Sequence, residues 1–172
     1  MITATIKDFE EIYTIMEESF PSDERRVKEE QRAVFLEPFY KIYAYKDKNE
    51  RIKAFIAAWE FDEFLFVEHF AVDKTMRNLG IGAKMLRELI DSTDKRICLE
   101  VEPPLSEMPK RRIAFYERNG FSLNGYEYYQ PPMSKGKNAI PLMIMTTGGK
   151  AEREQYDNIR HTLYKYVYKT EA

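Results

Sequence analysis

Apolar and polar positions alternate along the chain in short blocks whose period switches between two and three to four. Phe9, Ile12, Tyr13 and Met16 recur at helical spacing, which predicts a helix over residues 8–18 after a short opening strand at about 2–6. Phe20-Pro21 stops that pattern. Ser22, followed by Asp23 and Glu24, has the chemistry of an N-cap with an acidic first turn and predicts a second helix running to about Leu36. An aromatic-rich run at 39–45, a polar break at 46–50 and the run 52–60 together predict an antiparallel hairpin. A third strand is expected over 64–72, after Asp62-Glu63.

In the second half, Leu79, Ala83, Leu86 and Ile90, with Gly82 and Leu89 near the same face, predict a helix over 80–91. Residues 96–101 read as a strand that Pro103-Pro104 terminates, because proline cannot donate to a ladder. A helix fits 107–118 and ends at Asn119-Gly120, a pair suited to a left-handed cap, and Phe121 returns the chain to strand. Polar residues 134–138 precede a strand at 140–145, and Gly148-Gly149 separates it from a helix over 151–168 with a Tyr156, Ile159, Leu163 and Val167 stripe. That last helix either folds against the rest or faces a partner. Strands alternating with helices predict the α/β class. With 172 residues, 44% of them hydrophobic, one core can form, so 1–172 reads as a single domain with 150–172 as a C-terminal helical appendage.

Charge and cysteine content narrow the function classes. The 29 acidic and 27 basic residues are mixed along the chain, as where Arg25, Arg26 and Lys28 sit among Asp23, Glu24, Glu29 and Glu30. Nothing in that balance provides the basic surface that DNA or RNA requires, so no nucleic-acid partner is expected. Cys98 is the only cysteine, which removes an internal disulfide framework and a thiolate metal cluster. It reads as a buried small side chain in an apolar strand rather than a nucleophile. Two histidines and scattered carboxylates show no metal-ligand spacing, so metal-independent chemistry is expected. The first residues lack the pattern of an export signal, and no apolar stretch approaches the roughly 20 residues that span a bilayer. A cytoplasmic protein without membrane association is the expectation, with oligomeric state left open, a homodimer included.

The strongest chemical feature is the turn Arg77-Asn78-Leu79-Gly80-Ile81-Gly82, where strand passes into helix. Glycines there let a diphosphate approach the backbone, and the first helical N–H groups lack intrahelical partners. Arg77 could add a charged fork to one phosphate. The same residues could equally make a purely structural turn. A dinucleotide fingerprint fits less well, since Met85 occupies the place of its third glycine, and a P-loop would need Lys and Ser or Thr after Gly82 rather than Ala83-Lys84.

Taken with Glu68-His69-Phe70-Ala71-Val72 before it and Phe115-Tyr116-Glu117-Arg118-Asn119-Gly120-Phe121 after it, this turn resembles the GCN5-related N-acetyltransferase (GNAT) superfamily. The resemblance follows element order over about 1–147, with the specific motifs within 64–126. It implies the acyl-CoA N-acyltransferase fold: a mixed, strongly twisted central sheet with flanking helices. It also implies acetyl-CoA as cofactor, with backbone groups of Phe70, Ala71 and Val72 toward the pantetheine arm. The turn of Arg77, Asn78, Leu79, Gly80, Ile81 and Gly82 would hold the pyrophosphate. Tyr116 would approach the departing sulfur as general acid. The chain departs from the family pattern at Pro109 and Arg112, where many relatives carry asparagine and alanine.

Acyl transfer to an amine needs a neutral nucleophile, a held acyl carbonyl and a proton route to the thiolate. The resemblance makes Glu68 the leading base, directly or through water. Glu100 and Glu102, two residues apart on a strand and so able to face one way, are rivals on the acceptor side. His69 follows Glu68 on the same strand and should point to the opposite face, as a structural residue. His161 reads as a surface residue. Tyr126, Tyr128, Tyr129, Gln130, Pro131 and Pro132 either line an acceptor pocket, with Tyr128 as the substrate-binding candidate, or pack beneath the last elements. The function expected is an N-acetyltransferase acting on a primary amine, most simply of a small molecule. The alternatives are a noncatalytic acyl-CoA-binding or regulatory domain, and an interaction module that binds through its C-terminal helix.

Overall fold

A computed structural model describes residues 1–170, so the last two positions of the expected C-terminal appendage lie outside the described residues. The chain divides into two compact units, 1–95 and 96–172.

In the first unit, strands β1 (Ile2–Thr3), β2 (Tyr40–Lys46), β3 (Ile52–Glu60) and β4 (Phe64–Val72) pair antiparallel in chain order. Helices α1 (Phe9–Ser19) and α3 (Ile81–Asp91) pack against β3 and β4, and the short α2 (Lys28–Val34) lies between α1 and β2 in sequence. Ala54 through Trp59 are all buried, whereas a half-solvated strand would alternate. Phe9, Ile12 and Met16 of α1, Phe55 and Trp59 of β3, and Met85, Leu86 and Leu89 of α3 are among its fully buried side chains.

Three details differ from the sequence reading. The opening strand stops at Thr3, because the Asp8 carboxylate accepts from the Thr5 N–H at 2.9 Å and Thr5 begins a 3₁₀ turn. Ser22–Glu24 also forms only a 3₁₀ turn, and α2 starts at Lys28 with no side-chain cap. The reason is visible at Arg25 and Arg26. Arg25 turns extended and bonds back to the Phe20 carbonyl at 3.3 Å, while the Arg26 side chain is drawn into the interior. Last, Leu79 is 65% exposed, and the buried stripe of α3 is Ile81, Met85, Leu86 and Leu89. Left-handed Asn78 and Gly80 delay the helix to Ile81 and so reset its phase.

In the second unit, β5 (Arg96–Val101), β8 (Ile140–Thr147) and β6 (Phe121–Leu123) pair antiparallel in that order, and β7 (Tyr128–Gln130) also pairs with β8. Residues opposite one another in such a ladder share a face. Glu100 pairs with Ile144, and Tyr128 with Leu142, which puts Glu100 and Tyr128 on one side. Leu99, Val101, Met143 and Met145 face the other, where α4 (Glu107–Arg118) packs against β5 and β6. Helix α5 (Arg153–Thr162) continues into a π turn, Leu163–Val167, so the expected helix over 151–168 is α-helical only in its first part.

The strand expected from Phe121 is broken in two at Asn124. Its amide donates to the Ile144 carbonyl at 3.0 Å and the Thr146 hydroxyl at 3.1 Å, and its oxygen accepts from the Ala151 N–H at 2.8 Å. Asn124→Ala strands these buried groups and should lower unfolding free energy by about 3 kcal/mol, read from the shift of a urea midpoint at unchanged slope.

Candidate functional site

The loop from β4 into α3 is fixed by a cap, an arginine contact and two left-handed residues. Asp73 caps a 3₁₀ turn at 74–76 by accepting from the N–H and hydroxyl of Thr75. The Arg77 Nε donates to the Val72 carbonyl at 3.2 Å, which fixes the guanidinium stem beside the end of β4. Asn78 (φ 64) and Gly80 (φ 75) are both left-handed, and Arg77 through Gly80 are exposed. A Cβ at Gly80 would meet nothing within 4 Å, so glycine is required by its dihedral and the space beside it is open. The first helical bond runs from the Lys84 N–H to the Gly80 carbonyl at 3.0 Å. The N–H groups of Ile81, Gly82 and Ala83 precede it and have no intrahelical acceptor. Phe70, Ala71 and Val72 lie at the end of β4, opposite Ile56, Phe55 and Ala54.

Glu68 and His69 do not point to opposite faces as strand alternation predicts. In the β3–β4 ladder Ala57 pairs with His69 and Ala58 with Val67, which leaves Glu68 as the extra residue of a β-bulge. The bulge turns both side chains toward the 20–27 segment. The Glu68 carboxylate, its side chain 1% exposed, accepts from the Arg26 Nη2 at 2.7 Å. His69 donates its Nε2 proton to the Glu24 carbonyl at 2.7 Å, and its ring meets Phe20 edge-on at 4.7 Å. Glu68 Oε2 and His69 Nδ1 stand 3.5 Å apart, and among the described residues neither atom has a hydrogen-bond partner. Arg26 Nη1 donates to Gln31 at 3.4 Å, and the Gln31 amide donates to the Tyr40 hydroxyl at 2.8 Å.

Burial alone would raise the Glu68 carboxyl, but the charge of Arg26 and contact with His69 outweigh it and bring the group down to about 2. A carboxylate held there is a weak base at neutral pH. What the geometry offers at Glu68 is a fixed negative charge. Burial drives the Tyr40 phenol far above its ordinary range, aided by that charge.

In the second unit, Tyr116 on α4 is buried against Phe121 at 5.6 Å and Phe115 at 5.3 Å, and burial raises its phenol to about 12. It therefore carries its proton at neutral pH. Glu100 lies on the opposite face of these strands and accepts from the Tyr128 hydroxyl and, at 2.7 Å, from Tyr168. Burial and the Glu100 charge hold Tyr128 well above the usual phenol range. Glu102 sits just beyond β5, half-buried. Tyr126 packs on Tyr156 at 4.5 Å, Gln130 is buried and Tyr129 is half exposed, so the aromatic segment divides between packing and surface. Cys98 is buried, which pushes its thiol up and away from reactivity, and His161 is exposed. Among the described residues no group of three or more His, Cys, Asp or Glu could hold a metal ion, and no helix is long and apolar enough to cross a membrane.

Sequence reasoning misses Arg26, Gln31, Tyr40 and Tyr168. Arg26 is hidden in a run of alternating charges that reads as a solvated face. Nothing in the spacing of Tyr168 marks it as a partner of Glu100.

Glu68 has a direct pH consequence. Its folded pKa lies below the ordinary carboxylate value of 4.5, so its ionised form adds stability above that range and the contribution is lost as pH falls toward 2. Acid unfolding of Glu68→Gln should therefore be shallower between about pH 4.5 and 2 than that of wild type. The Arg26→Met variant, which leaves the carboxylate buried without its partner, should lose about 3–5 kcal/mol at pH 7 by chemical denaturation.

Residues 38–123 match a family model described as an acetyltransferase (GNAT) domain. The chain is 34% identical over 164 residues to YjbC of Bacillus subtilis (strain 168), a protein named as an acetyltransferase, covering 92% of this chain and 83% of that one. A solved structure from Bacteroides thetaiotaomicron, described as a GNAT-family acetyltransferase, superposes with a TM-score of 0.86 at 36% identity, covering 99% of this chain and 98% of that chain. An aminoglycoside 6'-N-acetyltransferase solved with coenzyme A is similar in fold alone, with a TM-score of 0.61 at 15% identity over 86% of this chain and 96% of that chain. The α/β class with a mixed sheet and flanking helices is common to these structures and to this chain.

Proposed function

Because the chain belongs to the GNAT acetyltransferase family, we propose that it moves the acetyl group of acetyl-CoA directly to the primary amine of a small molecule. The observation that carries this reading is the 77–82 turn, where left-handed Asn78 and Gly80 lead into α3 and the space beside Gly80 is open. The diphosphate of acetyl-CoA is the anion this turn suits. Arg77, Asn78, Leu79, Gly80, Ile81 and Gly82 would hold it, and the backbone of Phe70, Ala71 and Val72 would take the pantetheine arm.

In this reading the neutral amine attacks the thioester carbonyl carbon, the C–S bond breaks, and Tyr116 gives its phenolic proton to the leaving thiolate. The ammonium formed on nitrogen loses a proton to water, and solvent reprotonates Tyr116. The phenol is protonated at neutral pH, the state a donor needs, while burial also makes it a weaker acid. Glu68 contributes charge and position, its basicity being spent on Arg26. Glu100, Glu102 and Tyr128 form the acceptor side: Glu100 presents a carboxylate framed by phenol rings, a setting that suits a cationic amine. Residues 1–172 would work as one catalytic domain in the cytoplasm.

The decisive measurement is acceptor-dependent release of coenzyme A across primary amines and their matched alcohols, with product masses read in parallel. Amine-dependent transfer is expected. Binding of acetyl-CoA without turnover of any amine would instead make the chain an acyl-CoA-binding domain. Gly80→Ala, which forces a Cβ into a left-handed residue, should weaken acetyl-CoA binding by calorimetry while the protein stays folded. Tyr116→Phe should cut turnover about 100- to 10,000-fold with acetyl-CoA affinity kept. Near-normal turnover with chemistry rate-limiting would remove Tyr116 from the reaction.

A further inference from the structure

Strand β6 ends its sheet: β8 pairs with it on one side and, among the described residues, no strand pairs with it on the other. The Asn124 N–H donates to the Ile144 carbonyl at 3.0 Å, so position 124 directs its backbone groups toward β8. Successive residues of an antiparallel strand direct theirs to alternate sides, which sends Ser122 toward β8 and turns the N–H and C=O of Phe121 and Leu123 outward. Those outward groups form a short open row of donors and acceptors, the kind of edge to which a further strand adds.

An open groove of about 430 Å³ runs along this edge. Phe121, Leu123 and Met143 give it an apolar lining, and exposed Gly125 puts no side chain in the way of an approaching backbone. Glu117 and Lys150 complete the lining. Both are exposed, and among the described residues neither has an ion-pair partner.

These two charges stand at opposite ends of β6. Glu117 lies just before the strand, its carbonyl accepting from the Gly120 N–H at 3.1 Å. Lys150 lies at the far end, where the next residue, Ala151, donates its N–H to the Asn124 side chain at 2.8 Å. Their placement selects the partner that the edge fits. When two antiparallel strands pair about a two-fold axis, the start of each lies against the end of the other, and every contact occurs twice. A second β6 would therefore bring its Lys150 to Glu117 and its Glu117 to Lys150. Charges of one sign at both ends would repel in the same pairing.

We propose that the β6 edge is a homodimer interface: two copies of the chain pair their β6 strands antiparallel, cover the groove, and close the pairing with two Glu117–Lys150 ion pairs between copies. This inference is independent of the acetyl-transfer reading, since the groove is lined by none of the residues assigned to the cofactor or the acceptor.

The test is sedimentation equilibrium of the full chain over a wide concentration range at low salt. It compares wild type with Glu117→Lys, Lys150→Glu and the variant carrying both changes, and circular dichroism melts confirm that each is folded. Wild type should dimerise. Each single reversal sets two like-charge contacts into the interface and should weaken the dimer about 10-fold, whereas the double exchange restores both pairs with their signs swapped and should return to within about twofold of wild type. Amide exchange at Phe121 and Leu123 should slow as the dimer forms. A wild type that stays monomeric at every concentration overturns the proposal and leaves the edge to some other chain. A dimer indifferent to both single reversals, or one with no slowing at Phe121 and Leu123, lies on a different surface and overturns it as well. A double variant no better than the single ones overturns the Glu117–Lys150 pairing.

Discussion

The Arg26–Glu68 pair is the constraint on which the first unit turns. Removing two charges from water costs several kcal/mol for each ion, and only close geometry with further hydrogen bonds can offset that. Both conditions are met here. The guanidinium reaches Glu68 at 2.7 Å and Gln31 at 3.4 Å, Gln31 extends the chain of bonds to Tyr40, and the Tyr13 hydroxyl donates to the Arg26 carbonyl at 3.3 Å. One interior arginine thus ties α1, the 20–27 segment, α2, β2 and β4 to one another. A shift of any one of these elements would leave a charge buried without its partner, which is costlier than a lost apolar contact. The pair therefore selects one arrangement of the 20–27 segment more sharply than hydrophobic packing alone could.

The second unit repeats the strategy with neutral donors. Glu100 is held by phenols from β7 and from the C-terminal turn, so its partners come from 28 and 68 residues away. Phenols carry no charge to bury, so these two bonds come without the desolvation cost of a cation. Glu68 is bound by the Arg26 guanidinium, and Glu100 accepts from two hydroxyls. The leading base candidate of the sequence and its rival are thus bound by chemically different partners.

Local pattern and long-range partnership also separate what is legible in the sequence from what is not. Strand 96–101 and helix 107–118 are readable because each runs into a hard stop, Pro103-Pro104 and Asn119-Gly120, and strands 52–60 and 64–72 because Asp62-Glu63 separates two apolar runs. The 77–82 turn is readable because glycine declares a backbone need. The 22–34 region is not, because Arg26 looks like one charge in a solvated run and its burial depends on a residue 42 positions later. The opposite-face expectation for His69 fails for a related reason. Alternation assumes one residue per step, and a bulge adds one that no local pattern announces. Tyr168 is invisible because helical periodicity at 3.6 residues assigns it to the wrong side of its own helix.

The protonation states that follow bear on how such a site can work. Glu68 stays ionised down to about pH 2, and Tyr116 stays protonated up to about pH 12. Neither changes charge across the neutral range, so neither can impose a pH dependence there. A carboxylate raised toward neutrality, or a phenol lowered toward it, would titrate there and narrow the working range. Here burial lifts the Tyr116 phenol and Arg26 holds the Glu68 carboxylate down, which moves both titrations away from neutrality. In the proposed reaction an amine acceptor would bring its own titration, since the fraction that is neutral and able to attack rises with pH. A site arranged in this way has no need of a strong internal base, and that is consistent with a buried, arginine-bound Glu68 in a chain that nonetheless carries an acetyltransferase fold.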